Sequence, residues 1–531
     1  PSIGSDALGY RELDQVTSTY RSIDYAASGT WNATPSMRFV TSAGAQYYHT
    51  LGDTLEAWGS VFPTPGLSAI FATTTDPGQY GNSAEFATLG YYGQEQWSWR
   101  DQLFLTAALR WDNSSAFGQN VNHVVYPKFS ASWVLSDLGF WRNQSLLTRM
   151  NSFRLRAAYG EAGKAPGTYD ALRTFGPASG PADAPAVTPL SLGNPNLGPE
   201  RGKEYELGFD AGALDDRIGL EATYYHKETT DAILFRQLAP SVGFSSTQPF
   251  NAGGILNKGW ELALRGSAYR SDNVTWDLNA SISTNQNKVL SLLPGTNFVT
   301  TATYSNAPSV RHQVGYPAFS FFGPRVVAAS VDATGKTILS SVMCDNGSGG
   351  SSPCYDGTGA LIAKSVYLGH SVPTYEGSVS TTLSFLRDFR IYTQIDYSGG
   401  NKKIDGNTRV RCFFFGGRCQ ENFFPTEADP IRVAQVQSNG RLTDMLVDNS
   451  GFAKWRELTL AYNIPDRLVR MANVTRASIS LSGRNLHTWT SYKGFEPEAM
   501  FLGGSRGGNI SFEQTMLPQL TSWIVTLNLG M

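Results

Sequence analysis

Apolar and polar residues alternate one for one along much of this chain. In Val274-Thr275-Trp276-Asp277-Leu278-Asn279-Ala280-Ser281-Ile282-Ser283 every even position is apolar and every odd one polar. The segments 378–385 and 389–397 repeat the pattern, and 522–529 follows it less strictly at Ile524. A side-chain period of two belongs to β-strands with one apolar and one polar face. Composition agrees. Charged residues are 16% of the 531, against about 25% in an ordinary soluble protein, whose surface helices are rich in Glu and Lys. The net charge of -2, from 44 acidic and 42 basic residues, excludes a basic nucleic-acid binder. A hydrophobic share of 41% excludes a charge-rich disordered chain.

The alternation predicts about fifteen strands, near 16–31, 37–50, 80–98, 103–112, 125–136, 153–162, 203–214, 217–234, 255–269, 274–289, 376–386, 389–398, 452–464, 476–489 and 520–530. Short connections (Asp215-Asp216, Ser271-Asp272, Arg387-Asp388) alternate with long ones over 51–78, 164–202, 291–374, 401–450 and 490–518. Short turns at one end and long loops at the other are the pattern of a transmembrane antiparallel β-barrel, with short periplasmic turns and long extracellular loops. Trp31, Trp97, Trp99, Trp111, Trp276 and Trp523 are then candidates for the aromatic girdles at the bilayer surfaces. A soluble sandwich or propeller is the alternative, but strands of 14 residues and loops of 40 or more exceed what such domains use. No run of about 18 apolar residues predicts a membrane-spanning helix. Counting back from the last strand, the first runs toward the periplasm. An odd count with ends on opposite sides cannot close, since bacterial barrels use an even number. The expectation is a C-terminal barrel part, 1–531, with a plug and first strands upstream.

Several motifs carry a resemblance. Leu192-Gly193-Asn194-Pro195-Asn196-Leu197-Gly198-Pro199-Glu200, the Asn251 to Glu261 segment ending Gly259-Trp260-Glu261, and Leu368 to Gly377 with Pro373 occur in order. Phe452-Ala453-Lys454-Trp455-Arg456-Glu457-Leu458 and Trp489-Thr490-Ser491-Tyr492-Lys493-Gly494-Phe495-Glu496-Pro497-Glu498 follow. Together over about 150–531 they resemble TonB-dependent outer-membrane transporters of the SusC/RagA branch. The resemblance implies a 22-stranded barrel in the bacterial outer membrane and active import of large solutes, glycan or peptide fragments. It further implies the TonB complex as energy-coupling partner, a plug, and a SusD-like lipoprotein as lid. Nothing here matches the plug or the TonB-contacting segment. A structural or surface-interaction barrel protein and a passive porin remain the alternative functions.

Four cysteines form two close pairs in turn-prone segments, Cys344 with Cys354 and Cys412 with Cys419. Two local disulfides suit an oxidising compartment, with free thiols as the alternative. Zinc is disfavoured by the spacing and the lack of neighbouring histidines. Phe413, Phe414, Phe415, Phe423 and Phe424 form an aromatic loop that meets a substrate or partner, or else collapses into a loop core. Asp332-Ala-Thr-Gly335-Lys336 and Asp356-Gly-Thr-Gly359 hold too few carboxylates for a calcium loop. Gly503 to Gly507 fits G-x-S-x-G only in a Gly-rich loop, without the strand and helix a nucleophile elbow needs. No catalytic residue, cofactor or metal is expected. Arg110, Asp112, Asp277 and Asp396 are candidates either to line a solute path or to brace the wall with ion pairs.

Overall fold

The computed structural model describes residues 8–144, 147–244, 247–302, 304–414, 417–469, 474–499, 512–514 and 516–530. Among them, fifteen long strands follow one another along the main antiparallel sheet. They are β1 (Tyr10–Thr34), β2 (Met37–Ser60), β3 (Thr75–Trp99), β4 (Leu103–Ser114), β5 (Val124–Val134), β6 (Ser152–Lys164), β7 (Glu200–Ala213) and β8 (Ile218–Gln237). The rest are β9 (Thr247–Arg270), β10 (Val274–Thr284), β11 (Tyr375–Phe385), β12 (Phe389–Gly399), β13 (Phe452–Ile464), β14 (Arg476–Thr490) and β15 (Ser522–Gly530). The strand Gln286–Ser291 also pairs with β9. No helix among the described residues is long and apolar enough to cross a membrane.

The chain falls into two compact units. The first comprises residues 1–131, 159–203 and 230–252. Its β1 and β2 pair over their whole length, from Tyr10 opposite Ser60 to Thr34 opposite Met37. These strands are longer than expected, so residues 51–60 and 75–78, read as loop from the sequence, are strand. The segment 164–202 also holds a hairpin, with Thr174–Ser179 paired to Pro185–Ser191.

The Asn194 to Glu200 motif is a clip within this unit. Gly118 N donates to the Leu197 carbonyl at 2.8 Å and Asn120 N to that of Pro195 at 3.0 Å. A Cβ on Gly118 would stand 2.3 Å from the Pro195 oxygen, so only glycine allows this approach. Asn194 Nδ2 donates to the Pro249 carbonyl at 2.9 Å. Asn251 accepts from Gly198 N at 2.8 Å and donates to the Gly198 and Asp231 carbonyls, both at 2.9 Å. The motif asparagines of two distant segments therefore satisfy each other's backbone groups.

The second unit comprises 132–158, 204–229 and 253–531. Its sheet continues the alternation. On β10 the even positions from Val274 to Ile282 are apolar, with Trp276 and Leu278 exposed, and Val525, Leu527 and Leu529 are exposed on β15. Val525 leaves 68% of its surface uncovered. A contiguous apolar face of this kind needs an apolar solvent, and a bilayer supplies it. The Leu386 and Arg387 turn between β11 and β12 has positive φ at both residues, the handedness that matches strand twist.

The long connections of this unit are not irregular. Residues 298–370, 402–449 and 512–513 hold three small sheets and three short helices, Gly406–Phe413, Gln420–Phe423 and Pro430–Gln437. They share real cores. Val310, Phe321, Leu368, Ile404, Leu446, Val447 and Phe512 form one. Val326, Val342, Tyr355, Ala434 and Leu442 surround the two cysteines 344 and 354 in another. Burial here is that of a soluble domain, and we call this assembly the cap.

Candidate functional site

The polar faces of β8 to β13 in the second unit line a cleft of about 560 Å³. Register places its acids in rows. Glu261 lies opposite Ser283, Ser283 opposite Glu376, and Glu376 opposite Ser398. Ion pairs brace the walls. Arg156 meets Asp210 at 2.8 Å, Arg265 meets Glu221 at 2.5 Å and Arg456 meets Asp396 at 2.8 Å. Glu261 and Glu376 have no cationic partner among the described residues. They leave a net negative field in a partly enclosed cleft.

One side of the cleft ends at a buried charge network. The register of β13 slips between Trp455 and Glu457, so one extra residue bulges there. The bulge puts Arg456 on the polar face together with Lys454 and Glu457, which strict alternation would forbid. Lys454 Nζ bonds Glu496 at 2.6 Å and Glu498 at 2.7 Å. Arg456 bonds Glu498 as well as Asp396. Burial alone would raise the Glu498 carboxyl, but the hydrogen bonds of Arg456 and Lys454 outweigh it and hold the group below the usual carboxylate range. The Lys-x-Arg and Glu-Pro-Glu motifs, far apart in sequence, are thus each other's partners. Their pairing ties the loop after β14 to β13.

The cap continues from there. Lys403 Nζ donates to the carbonyls of Pro497, at 2.5 Å, and Ala499, at 2.7 Å. Burial lowers this amine to about 8, against the pull of Glu513 and other acids. Tyr492 donates to Glu513 at 3.0 Å, and burial with the Glu513 charge pushes the phenol up. Asp405 caps the helix Gly406–Phe413 by accepting from Thr408 N at 2.8 Å.

The sequence candidates divide. Arg110 meets Asp112 at 2.8 Å and Gln46 at 2.5 Å in the first unit, and Asp396 meets Arg456, so these charges brace the wall. Asp277 stands opposite Ser267 and Thr382 in the sheet. Cys344 and Cys354 are joined, with Cα atoms 5.1 Å apart. The expected second disulfide is absent: Cys412 and Cys419 are buried free thiols. Their sulfurs and a Glu421 oxygen lie within 4.8 Å of one another, a possible ligand set for a metal ion. That set fits a metal poorly. Glu421 already pairs with Arg432, Cys419 contacts Asn422, and burial pushes both thiols up, away from the thiolate a metal needs. Asp332 and Asp356 each accept, through Oδ1, from two backbone N–H groups and a threonine hydroxyl of their own turn, so each serves as a turn-capping carboxylate.

The phenylalanine cluster is also split. Phe413 packs against two cap cores, while Arg409 stacks 4.8 Å over the Phe414 ring. Phe423 and Phe424 stand outward, 63% and 56% exposed. Phe415 and the Gly503 to Gly507 stretch lie outside the described residues. Sequence reasoning missed Glu261 and Glu376 as a pair, and it missed the partners of Lys454. The break in alternation at Lys454-Trp455-Arg456-Glu457 was the available signal.

Residues 3–351 match the family model described as TonB dependent receptor-like, beta-barrel. The TonB-dependent receptor P26 of Formosa agariphila is 28% identical over 453 residues, covering 80% of this chain and 44% of the relative. The TonB-dependent receptor SusC of Bacteroides thetaiotaomicron is 21% identical over 435 residues, covering 77% and 41%. The chain therefore spans less than half the length of these relatives. The structure of the RagAB peptide importer in its open-open state superposes with a TM-score of 0.80 at 21% identity, covering 100% of this chain and 56% of that one. At that identity the likeness establishes the fold: an antiparallel β-barrel wall.

Proposed function

Because the chain belongs to the TonB-dependent receptor β-barrel family, whose members sit in the bacterial outer membrane, we propose that it forms the C-terminal wall and surface cap of an active importer of large solutes. The solutes are glycan or peptide fragments too large for porins. In this reading the barrel domain fills residues 1–531, and a plug, the first strands and a TonB-contacting segment are supplied by residues outside this sequence. The TonB complex delivers the energy, and a SusD-like lipoprotein closes over the cap.

The observation that carries the proposal is the cleft. It is about 560 Å³, braced on the polar face by ion pairs that leave Glu261 and Glu376 without a cation among the described residues, and its rim is latched to a folded cap. A wall meant only as an anchor needs no such cleft. The exposed Phe423 and Phe424 supply a contact surface for the lipoprotein or the solute. Uptake of labelled oligosaccharides and oligopeptides is to be measured in cells carrying the complete gene, with and without TonB. Import that vanishes without TonB supports the proposal. Entry that persists without TonB makes the protein a porin. Absence of entry in both strains makes it a surface-interaction protein.

A further inference from the structure

The outward face of β9 and β10 changes character at one level. From Tyr269 up to Trp260 the outward side chains are apolar, with Leu262 and Leu264 exposed between them. On β10, Trp276, opposite Tyr269, and Leu278, Ala280 and Ile282 continue the face. Nine residues separate Tyr269 from Trp260. At about 3.3 Å per residue and a tilt of about 40°, they rise roughly 23 Å. That matches the apolar band of about 25 Å in such barrels. Trp276 with Tyr269 and Trp260 with Tyr224 are therefore the two aromatic rims of the bilayer on this part of the wall.

Above the outer rim the face turns cationic. Lys258 lies opposite Gln286 and Leu256 opposite Lys288, so Lys258 and Lys288 are diagonal neighbours on the outward side. Neither lysine has an acidic partner among the described residues. Beside them opens a cavity of about 620 Å³, lined by Tyr224, Lys258, Trp260, Thr284, Gln286 and His370 among others. The Tyr224 and Trp260 rings stand 5.2 Å apart at 56°, presenting aromatic faces at its lower edge. The mixture is specific. Aromatic faces pack on the C–H faces of sugar rings, hydroxyl and amide groups bond sugar hydroxyls, and unpaired ammonium groups attract phosphate. The exposed leucines directly below take acyl chains.

We propose that this cavity binds the phosphate-bearing saccharide headgroup of a glycolipid in the outer leaflet, with its acyl chains along Leu262 and Leu264. The proposal uses the outer-membrane position of the wall and is independent of import. The test takes the complete protein purified from outer membranes into phosphatidylcholine nanodiscs. Rough lipopolysaccharide is the probe, and native mass spectrometry reads the copies bound per chain. Wild-type protein retains one copy at probe concentrations where K258Q/K288Q retains at least ten-fold less. W260L weakens retention, while W276L, at the opposite rim, leaves it unchanged. Heat-modified electrophoretic mobility confirms that each variant is folded, and the milder single variant K258Q, at the lysine that lines the cavity, takes the place of the double lysine variant if that one is not. Equal retention by wild type and the lysine variants overturns the proposal. So does displacement by phosphatidylglycerol at equal concentration, which would show that charge alone suffices. Equally tight binding of the deacylated oligosaccharide would make it a free-sugar site and also overturns the proposal.

Discussion

Leu278 on the wall and Leu442 in the cap belong to the same unit, yet they meet different surroundings. Leu278 leaves 38% of its surface exposed and Leu442 leaves none. The wall spends its apolar residues on an external solvent and satisfies its backbone through the sheet ladder. The cap turns its apolar residues inward, as a soluble domain does, and pins itself with a disulfide, helix caps and buried charges. A single unit thus carries two stability regimes. One responds to the bilayer and the other to ordinary packing and pH.

Replacing Lys454 with alanine should produce the largest effect, because it strands Glu496 in a buried site and leaves Glu498 to Arg456 alone. Breaking one side of such a pair costs about 3–5 kcal/mol. Hydrogen exchange should rise in Lys402–Asp405 and Val447–Asn449 while the amides of β10 to β12 stay protected. Spread of exchange into those strands would mean that cap and wall unfold together. Leu264→Arg, midway between the two aromatic rims, reverses the pattern. A cation on the lipid face near midplane costs about 2–4 kcal/mol. Guanidinium unfolding in liposomes should shift, with proteolytic resistance of the cap unchanged.

Removal of the Cys344 and Cys354 bond, as the double serine variant, opens a loop with a separation of 10 residues. Chain-entropy arguments give about 3 kcal/mol for a loop of that order. Proteolysis should then enter near 326–345 and spare the wall.

The smallest effect per pH unit is a pH dependence confined to the cap. Lys403 loses its proton at about 8 when folded, against 10.5 in the unfolded chain. Between these values the unfolded state binds more protons, so cap stability rises with pH there, by up to about 1 kcal/mol per pH unit. Lys403→Met should abolish the slope. A slope that survives the substitution would assign it to another group.

The wall was legible from sequence because its information is local. Period-two alternation in 274–283 or 389–397 needs no distant partner to be read, and fifteen strands were expected where fifteen stand on the main path. The cap was not legible, because its cores join residues from three separate loops in strands of two to five residues. No window around Ile404 or Phe512 shows a period. The cysteines show the same divide. Cys344 sits on a strand and Cys354 directly follows the strand paired with it, which brings them together. Cys412 lies in a helix and Cys419 caps the next one, and their thiols lie close together without a bond, which the spacing alone does not reveal. Lys454 and Arg456 were read as motif positions, but their bulge and their partners 42 residues on could not be seen.

The cap core depends on Phe512, and Ile404 pairs with it in parallel although they lie more than 100 residues apart. This separation fixes an order of assembly. The loops after β10 and β12 leave the translation machinery early, but their shared core has no Phe512 and no Glu-Pro-Glu latch until the chain beyond β14 has arrived. Until then Val310, Leu368 and Leu446 lack their cover. A wall still missing its last hairpin therefore displays an unfinished apolar surface at the cap, and a finished wall hides it. Closure of the water-facing core therefore waits on one of the last stretches of the chain.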